Sequence, residues 1–451
     1  MLSEINKDFF KKLALLALPV SLQFLLHSSR YITDVIMIGN VGESELAAAG
    51  IATSIQMVAN SVIFGLSGGV GILAAQYFGA NDRAGINRSA ALGVFTGGVV
   101  MIPVVLVFYL FPQMVVRLGT DQPVILPLGA VYLKITAVLP LMMSFIVSVG
   151  AGFNSIGKPH LNLVFTAVSV LLNAFFNWIL IFGHLGAPAM GLAGAAIATD
   201  LSMLFQIVAM LVYMFFADTP VKITLKSMRG ALQKVYIKKF LDVSIPLTVG
   251  GVLWHVGAFV YQSIYGHMGA TELAAITIIT PLRTVAFAFF WGIASAAGVM
   301  MGHHLGANEF TMAWKRSRAL IVIGIIVSII ASSGIWLLRE PIFLMFGDLD
   351  KTTLETVMKV LIVLLLTIPI LAANVIGIVG ILQSGADNRF ILIMDMVCQW
   401  GAGIPLSWLA AFYFKASLDI VFLAAFSEEI VKVFIWVPRY IGKKWVRNIV
   451  N

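Results

Sequence analysis

The chain has 451 residues, 60% of them hydrophobic and only 11% charged, with a formal net charge of +8. A water-soluble domain carries about 25% charged residues, so this composition excludes one. The positive balance is scattered over the ends of apolar segments, which argues against a nucleic-acid partner.

Twelve apolar segments follow one another, at about 13–38, 46–78, 89–112, 125–149, 161–183, 191–216, 244–265, 273–303, 319–337, 357–382, 391–413 and 418–438. Each is long enough to cross a hydrocarbon core of roughly 30 Å. They are too long and too uniformly apolar for barrel strands, so the predicted class is an all-α membrane protein of twelve transmembrane helices. With the N-terminus inside, the cytoplasmic segments hold about 20 of the 29 Lys and Arg, which places both termini in the cytoplasm. Met1–Lys12 reads as a short amphipathic stretch lying on that face. No small-residue cleavage site follows the first apolar run, so that helix is expected to stay. Cys398 is alone and offers neither a disulfide nor a thiolate metal site.

Residues Gly39–Asn81 recur as Gly266–Asn308, at a fixed offset of 227. Aligned without a gap they share about 15 identities in roughly 43 positions, where chance would give about 4. The same offset matches Pro19 to Pro246. The longest polar interruption, around 217–243, falls where the repeat requires a link. The expected organisation is therefore an N-lobe at 1–216, a cytoplasmic linker at 217–243 and a C-lobe at 244–451, with the lobes as parallel repeats. Pro19 and Pro246 predict kinks at matching places in the first and seventh helices. Gly-Ala-Asn at the inner ends of the second and eighth helices predicts a turn with a left-handed position.

Ionisable residues inside a span are costly and mark functional candidates. The first helix carries Arg30 and Asp34 on one face, with Asp34 roughly 8 Å below the outer surface. The fifth carries Asn173 and Asn177, and the sixth Thr199 and Asp200, at comparable depth. Tyr132 in the fourth helix and Gln56 in the second join the same layer. A single polar cluster is the least costly arrangement for these groups. A plain Arg30–Asp34 ion pair with asparagines as interhelical glue is the structural alternative. The functional reading is a proton or cation site, in which loss of water favours a neutral Asp34 and Arg30 favours its carboxylate.

The second repeat places Tyr261 where the first has Asp34, leaving no matching carboxylate in the seventh helix. It offers Trp254, His255, Tyr261 and Tyr265, with Phe287, Phe290 and Trp291 in the eighth. Such aromatic faces suit apolar cations, and equally suit packing or the membrane interface. In the twelfth helix a local Glu428–Lys432 pair accounts for the charges there, and Asp395 sits near the inner end of the eleventh.

The motifs P-V-S-L-Q, D-x-x-M-I-G at Asp34–Gly39, E-L-A-A-A-G at Glu45–Gly50, Q-x-x-G-A-N at Gln76–Asn81, L-N-A-F-F-N-W-I-L-I-F-G at Leu172–Gly183 and G-L-A-G-A-A-I-A-T at Gly191–Thr199 resemble the multidrug and toxic compound extrusion (MATE) family, in its bacterial NorM and DinF-like branches. The resemblance covers nearly the whole chain. It implies two pseudo-symmetric six-helix lobes around a central cavity and export of amphipathic, often cationic drugs by proton or sodium antiport. It further implies a monomer in the bacterial cytoplasmic membrane, with no cofactor beyond the transported ion. Carried over, the ion site is Asp34, Asn173, Asn177 and Thr199, with Tyr132. Members with a sodium-type site carry a second Asp where Asn177 stands, and NorM-type members have a carboxylate near His255. Both are missing, which favours protons, with Asp200 the one available substitute. A lipid-linked precursor flippase would want several cavity arginines, where only Arg30 and Arg283 are candidates. An intramembrane enzyme would need a carboxylate beside His255, and a channel would need a symmetric filter.

Overall fold

The computed structural model describes residues 6–344 and 351–450. The first five residues of the expected amphipathic stretch Met1–Lys12, and residues 345–350 and 451 of the expected C-lobe, lie outside that part. Among the described residues there is no strand, and twelve long helices follow in order. They are α1 Lys7–Gly39, α2 Glu43–Gly79, α3 Arg83–Leu110, α4 Ile125–Ser155, α5 Pro159–Phe182, α6 Gly191–Phe216, α7 Lys234–Met268, α8 Ala270–Gly306, α9 Phe310–Leu337, α10 Lys351–Gly385, α11 Asn388–Tyr413 and α12 Leu418–Ile441. The first eleven are long and apolar enough to cross a membrane. The twelfth, at 24 residues, is long enough too, but it carries Asp419, Glu428, Glu429, Lys432 and Arg439.

Two starts differ from expectation. Residues 7–12 are the first turns of α1 rather than a separate surface stretch, and α7 begins at Lys234 inside the expected linker. Both extensions mix apolar residues with lysines and, in α7, Tyr236, whose apolar bodies pack while their polar tips lower the mean hydropathy to that of a loop. Phe9 is 2% exposed and lies under the Arg316 guanidinium, while Tyr236 lies under that of Arg88 and Lys239 over the ring of Tyr77. What remains of the linker holds a short helix, Leu225–Ala231, capped reciprocally by Thr224 and Ser227.

The chain forms two compact units. One is Leu22–Thr248; the other joins Met1–Ser21 to Val249–Asn451. The cuts therefore fall inside α1 and α7, two residues past Pro19 and Pro246 and again 227 apart, rather than in the 217–243 linker. In the 22–248 unit the first turns of α7 lie along α2, so closely that Thr248 leaves no room for a Cβ at Gly65. In the other unit the first turns of α1 lie along α8, and Ser21 leaves no room for one at Gly292. Gly65 and Gly292 are themselves 227 apart, as are Ser21 and Thr248. Small residues at such contacts let helix backbones approach where lipid supplies no hydrophobic drive. Each half of the duplicated sequence thus lends the start of its first helix to the other half's compact unit.

The left-handed turn is present after α2 and α8, but its αL residue is the asparagine. Asn81 has φ 58° and Asn308 φ 59°, while the amides of Asp82 and Glu309 reach back to the carbonyls of Tyr77 and His304. Asparagine tolerates this region better than other non-glycine residues. Helices α10 and α11 contain π-helical stretches at Val375–Leu382, Gln399–Gly403 and Leu409–Tyr413, a feature nothing in the residue pattern announced.

Candidate functional site

Helix α5 shows how the site is built. Its buried residues are Pro159, Asn162, Thr166, Ser169, Asn173, Asn177 and Ile181, so its inward face is almost wholly polar. The spacing of three or four puts all of these on one stripe. Helix α6 meets that stripe closely because Gly194 rests on the backbone at Leu180, where a Cβ would collide. Thr199, Ser202 and Gln206, also three or four apart, are the polar members of its buried face.

Within the 22–248 unit these stripes and α1 share their hydrogen bonds. Asn177 Nδ2 donates to Asp34 Oδ1 at 2.6 Å, and Asn173 Nδ2 donates to Thr199 Oγ1 at 3.3 Å. Arg30 does not close on Asp34 one turn away: its Nη2 donates to Ser202 Oγ at 3.3 Å. Ser202 Oγ donates in turn to the Thr199 carbonyl, and Ser169 Oγ to the Ser202 carbonyl at 3.0 Å. Below them Gln23 and Gln206 both donate to Thr166 Oγ1, and Asn162 donates to Gln23 Oε1. Asp34 is half-buried, whereas Asn173, Asn177 and Thr199 are at most 7% exposed.

Tyr132 is buried and interacts electrostatically with Asp34, Arg30 and Asp200. Asp200 interacts electrostatically with the same guanidinium, and its buried Oδ1 has no hydrogen-bond partner. Gln56 turns away to Thr136, donating to its hydroxyl at 2.7 Å and its carbonyl at 3.2 Å. The structure thus brings Arg30, Asp34, Tyr132, Asn173, Asn177, Thr199 and Asp200 into one neighbourhood and leaves Gln56 bonded elsewhere. Sequence reasoning missed Ser202, Ser169, Thr166, Gln206, Gln23 and Asn162, and also His27, which feels the Arg30 charge. The polar periodicity of α5 and α6 was the signal that could have found most of them.

The other unit holds a second polar group. Lys432 Nζ is 2.9 Å from Glu429, 3.5 Å from Asp395 and 3.9 Å from Glu428. The expected Glu428–Lys432 pair is therefore the longest of three contacts. Glu429 also accepts from Asn374 at 2.6 Å, and Glu428 from the Tyr261 hydroxyl at 2.8 Å. The position matching Asp34 thus meets a carboxylate after all, supplied by α12. Trp254 and His255 touch edge to face, with His255 Nδ1 2.7 Å from the Gly251 carbonyl, and Phe287 stacks on Trp291 at 5.6 Å. These are two pairs, each within one helix; Phe290 and Tyr265 are buried.

The MatE family model matches residues 19–179 and 246–409, two stretches whose starts are again 227 apart. The probable multidrug resistance protein NorM of Agrobacterium fabrum is 26% identical over 412 residues, covering 89% of this chain and 87% of its own. The uncharacterized transporter YisQ of Bacillus subtilis is 20% identical, covering 95% and 94%. Among solved structures, an outward-facing multidrug resistance MATE family transporter of the MOP superfamily superposes with a TM-score of 0.86 at 17% identity, covering 96% of each chain. A MOP superfamily transporter from Pyrococcus furiosus, described as having a binding pocket of reversed polarity, superposes at 0.85 and 17%.

Proposed function

This chain belongs to the MatE family, and from that premise we propose that it is a multidrug exporter of the bacterial cytoplasmic membrane driven by proton antiport. The family consists of transporters rather than enzymes, and the substrates fitting it are amphipathic, often cationic small molecules. Both termini lie in the cytoplasm, the chain works as a monomer, and no cofactor takes part beyond the transported ion. The division of labour follows the repeat, with ion coupling in the first half and an aromatic substrate surface of Trp254, His255, Tyr261, Phe287 and Trp291 in the second.

The observation that carries this reading is the 2.6 Å bond from Asn177 to the half-buried Asp34. The only formal charge on that pair is the Asp34 carboxylate. A proton arriving there removes the charge and weakens the hold of Asn177, since bonds to a charged acceptor are roughly twice as strong as neutral ones. Arg30, held by Ser202, then loses its nearest counter-charge on α1. Rearrangement of this cluster favours drug release outside, and loss of the proton on the inner side resets the transporter between outward-open and inward-open states. Pro19, which removes a backbone bond from the helix carrying Asp34, provides the flexure, with Pro246 in the matching helix. One proton moving down about 100 mV supplies about 2.3 kcal/mol, enough for a drug ratio of roughly 50.

The sodium reading has one observation in its favour, the unpartnered buried oxygen of Asp200. Ethidium efflux from proteoliposomes under an imposed pH gradient, without sodium, separates the two. Efflux lost on Asp34→Asn is the expected result; efflux only on adding sodium overturns proton coupling, and efflux indifferent to the substitution removes Asp34 from the coupling site.

A further inference from the structure

The polar stripe of α5 continues far below Asp34. Asn177 to Asn162 spans 15 residues, about 22 Å at the helical rise of 1.5 Å per residue. That is most of a hydrocarbon core of about 30 Å. Along it α1, α5 and α6 are joined: side chain to side chain from Asn177 to Asp34, Asn173 to Thr199, and Gln23 to both Thr166 and Asn162, and from the Ser169 hydroxyl to the Ser202 carbonyl. Three amides on the stripe, Asn162, Asn173 and Asn177, are 5%, 1% and 0% exposed, yet the Oδ1 of each accepts no hydrogen bond from the protein. Gly150 opposite Asn162 leaves that amide its space, since a Cβ there would come within 2.9 Å of Oδ1. Buried acceptors are rarely left without a donor, and water is the donor that suits a site with several polar partners.

We propose that this stripe is a proton path inside the 22–248 unit, leading from Asp34 to the Pro159 end of α5, carried by water held on those amides and closed by the Arg30 guanidinium. The proposal rests on the reading of Asp34 as the coupling carboxylate. Arg30 donates to Ser202 partway along the stripe. A fixed cation at that level repels a migrating proton, as cationic constrictions do in proton-excluding pores. Asp200 and Tyr132 interact with the same guanidinium, and so does His27 from the preceding turn of α1. When Arg30 leaves Ser202, the Asp34 carboxyl passes its proton to the first water, each water takes one proton as it gives one, and one proton emerges at the inner end. An ungated path would drain the gradient, so closure by Arg30 is as necessary as the stripe itself.

The test uses the full chain in liposomes loaded with a pH-sensitive dye, given a pH step under a potassium–valinomycin clamp, with no drug present. Arg30→Gln is expected to admit protons at least about tenfold faster than wild type, and Arg30→Lys to stay tight. Adding Asn162→Leu and Thr166→Val to Arg30→Gln should restore tightness by lining the stripe with apolar groups. An Arg30→Gln protein as tight as wild type overturns the proposal, and so does a leak that survives the apolar pair. If Arg30→Gln does not yield folded protein, Asn162→Leu alone decides: drug-driven proton flux about tenfold slower at unchanged drug affinity supports the path, and full-rate flux overturns it. The leak assay contains no drug, so its outcome stands apart from whether Asp34→Asn abolishes efflux.

Discussion

Replacing Lys432 by Met removes the only base among three carboxylates, and the geometry sets the size of the effect. The ammonium lies 2.9, 3.5 and 3.9 Å from Glu429, Asp395 and Glu428 and is itself 5% exposed. At an effective dielectric of about 20, the three attractions are about 6, 5 and 4 kcal/mol before desolvation. Burial of the ions offsets most of that, and breaking a buried pair by removing one partner costs about 3–5 kcal/mol. At about 2.1 cal/mol/K of unfolding entropy per residue, a 451-residue chain loses roughly 3–5 °C in unfolding temperature. The assay is tryptophan fluorescence during heating in detergent, at one scan rate for every variant because large proteins unfold irreversibly. Lys432→Met combined with Glu429→Gln removes a charge of each sign and keeps an acceptor for Asn374, so it should recover half or more of the loss. A single variant as stable as wild type, or a double variant no better than the single, would refute the view that Lys432 is there to balance these carboxylates.

Two further outcomes are expected. Asn177→Asp places a second carboxylate beside Asp34, so efflux should depend more strongly on sodium than in wild type; a sodium dependence identical to that of wild type would count against Asp34 and residue 177 forming one site. Gly194→Ala drives a methyl into the α5 backbone at Leu180; separating α5 from α6 should lower stability by about 1–3 kcal/mol and weaken coupled efflux, and an unchanged unfolding temperature would show that the helices are not held at that contact.

Much of the fold was readable because the bilayer leaves a chain few options. Twelve apolar runs became twelve helices, and only their ends moved, where lysines flank the buried Phe9 and where Tyr236 and Lys239 combine a polar tip with an apolar body. Within the site, Asp34, Asn173 and Asn177 stood out because amides and carboxyls are rare in spans. Ser169, Thr166 and Ser202 have the same periodicity but were passed over, since a hydroxyl in a helix is easily satisfied by its own backbone, as Ser202 partly is. The bond from Tyr261 to Glu428 was beyond reach. An internal repeat relates α7 to α1, but it says nothing of what α12 brings to α7. The cuts past Pro19 and Pro246 were hidden for a related reason: the repeat fixes which residues correspond, not which copy's helices receive them.

That exchange of helix starts bears on how such a chain could have arisen. Were a gene encoding only one half to be expressed, its product would carry an opening segment whose companions, by the pattern of Ser21 against Gly292 and Thr248 against Gly65, belong to another copy. A lone half would be left with an unfilled groove along its second helix and a loose arm. Two copies, trading arms, would be the smallest complete object, so duplication and fusion would have joined molecules that already needed each other. Cutting the present chain in the 217–233 stretch and producing the pieces together should therefore yield a paired complex, with either piece alone incomplete.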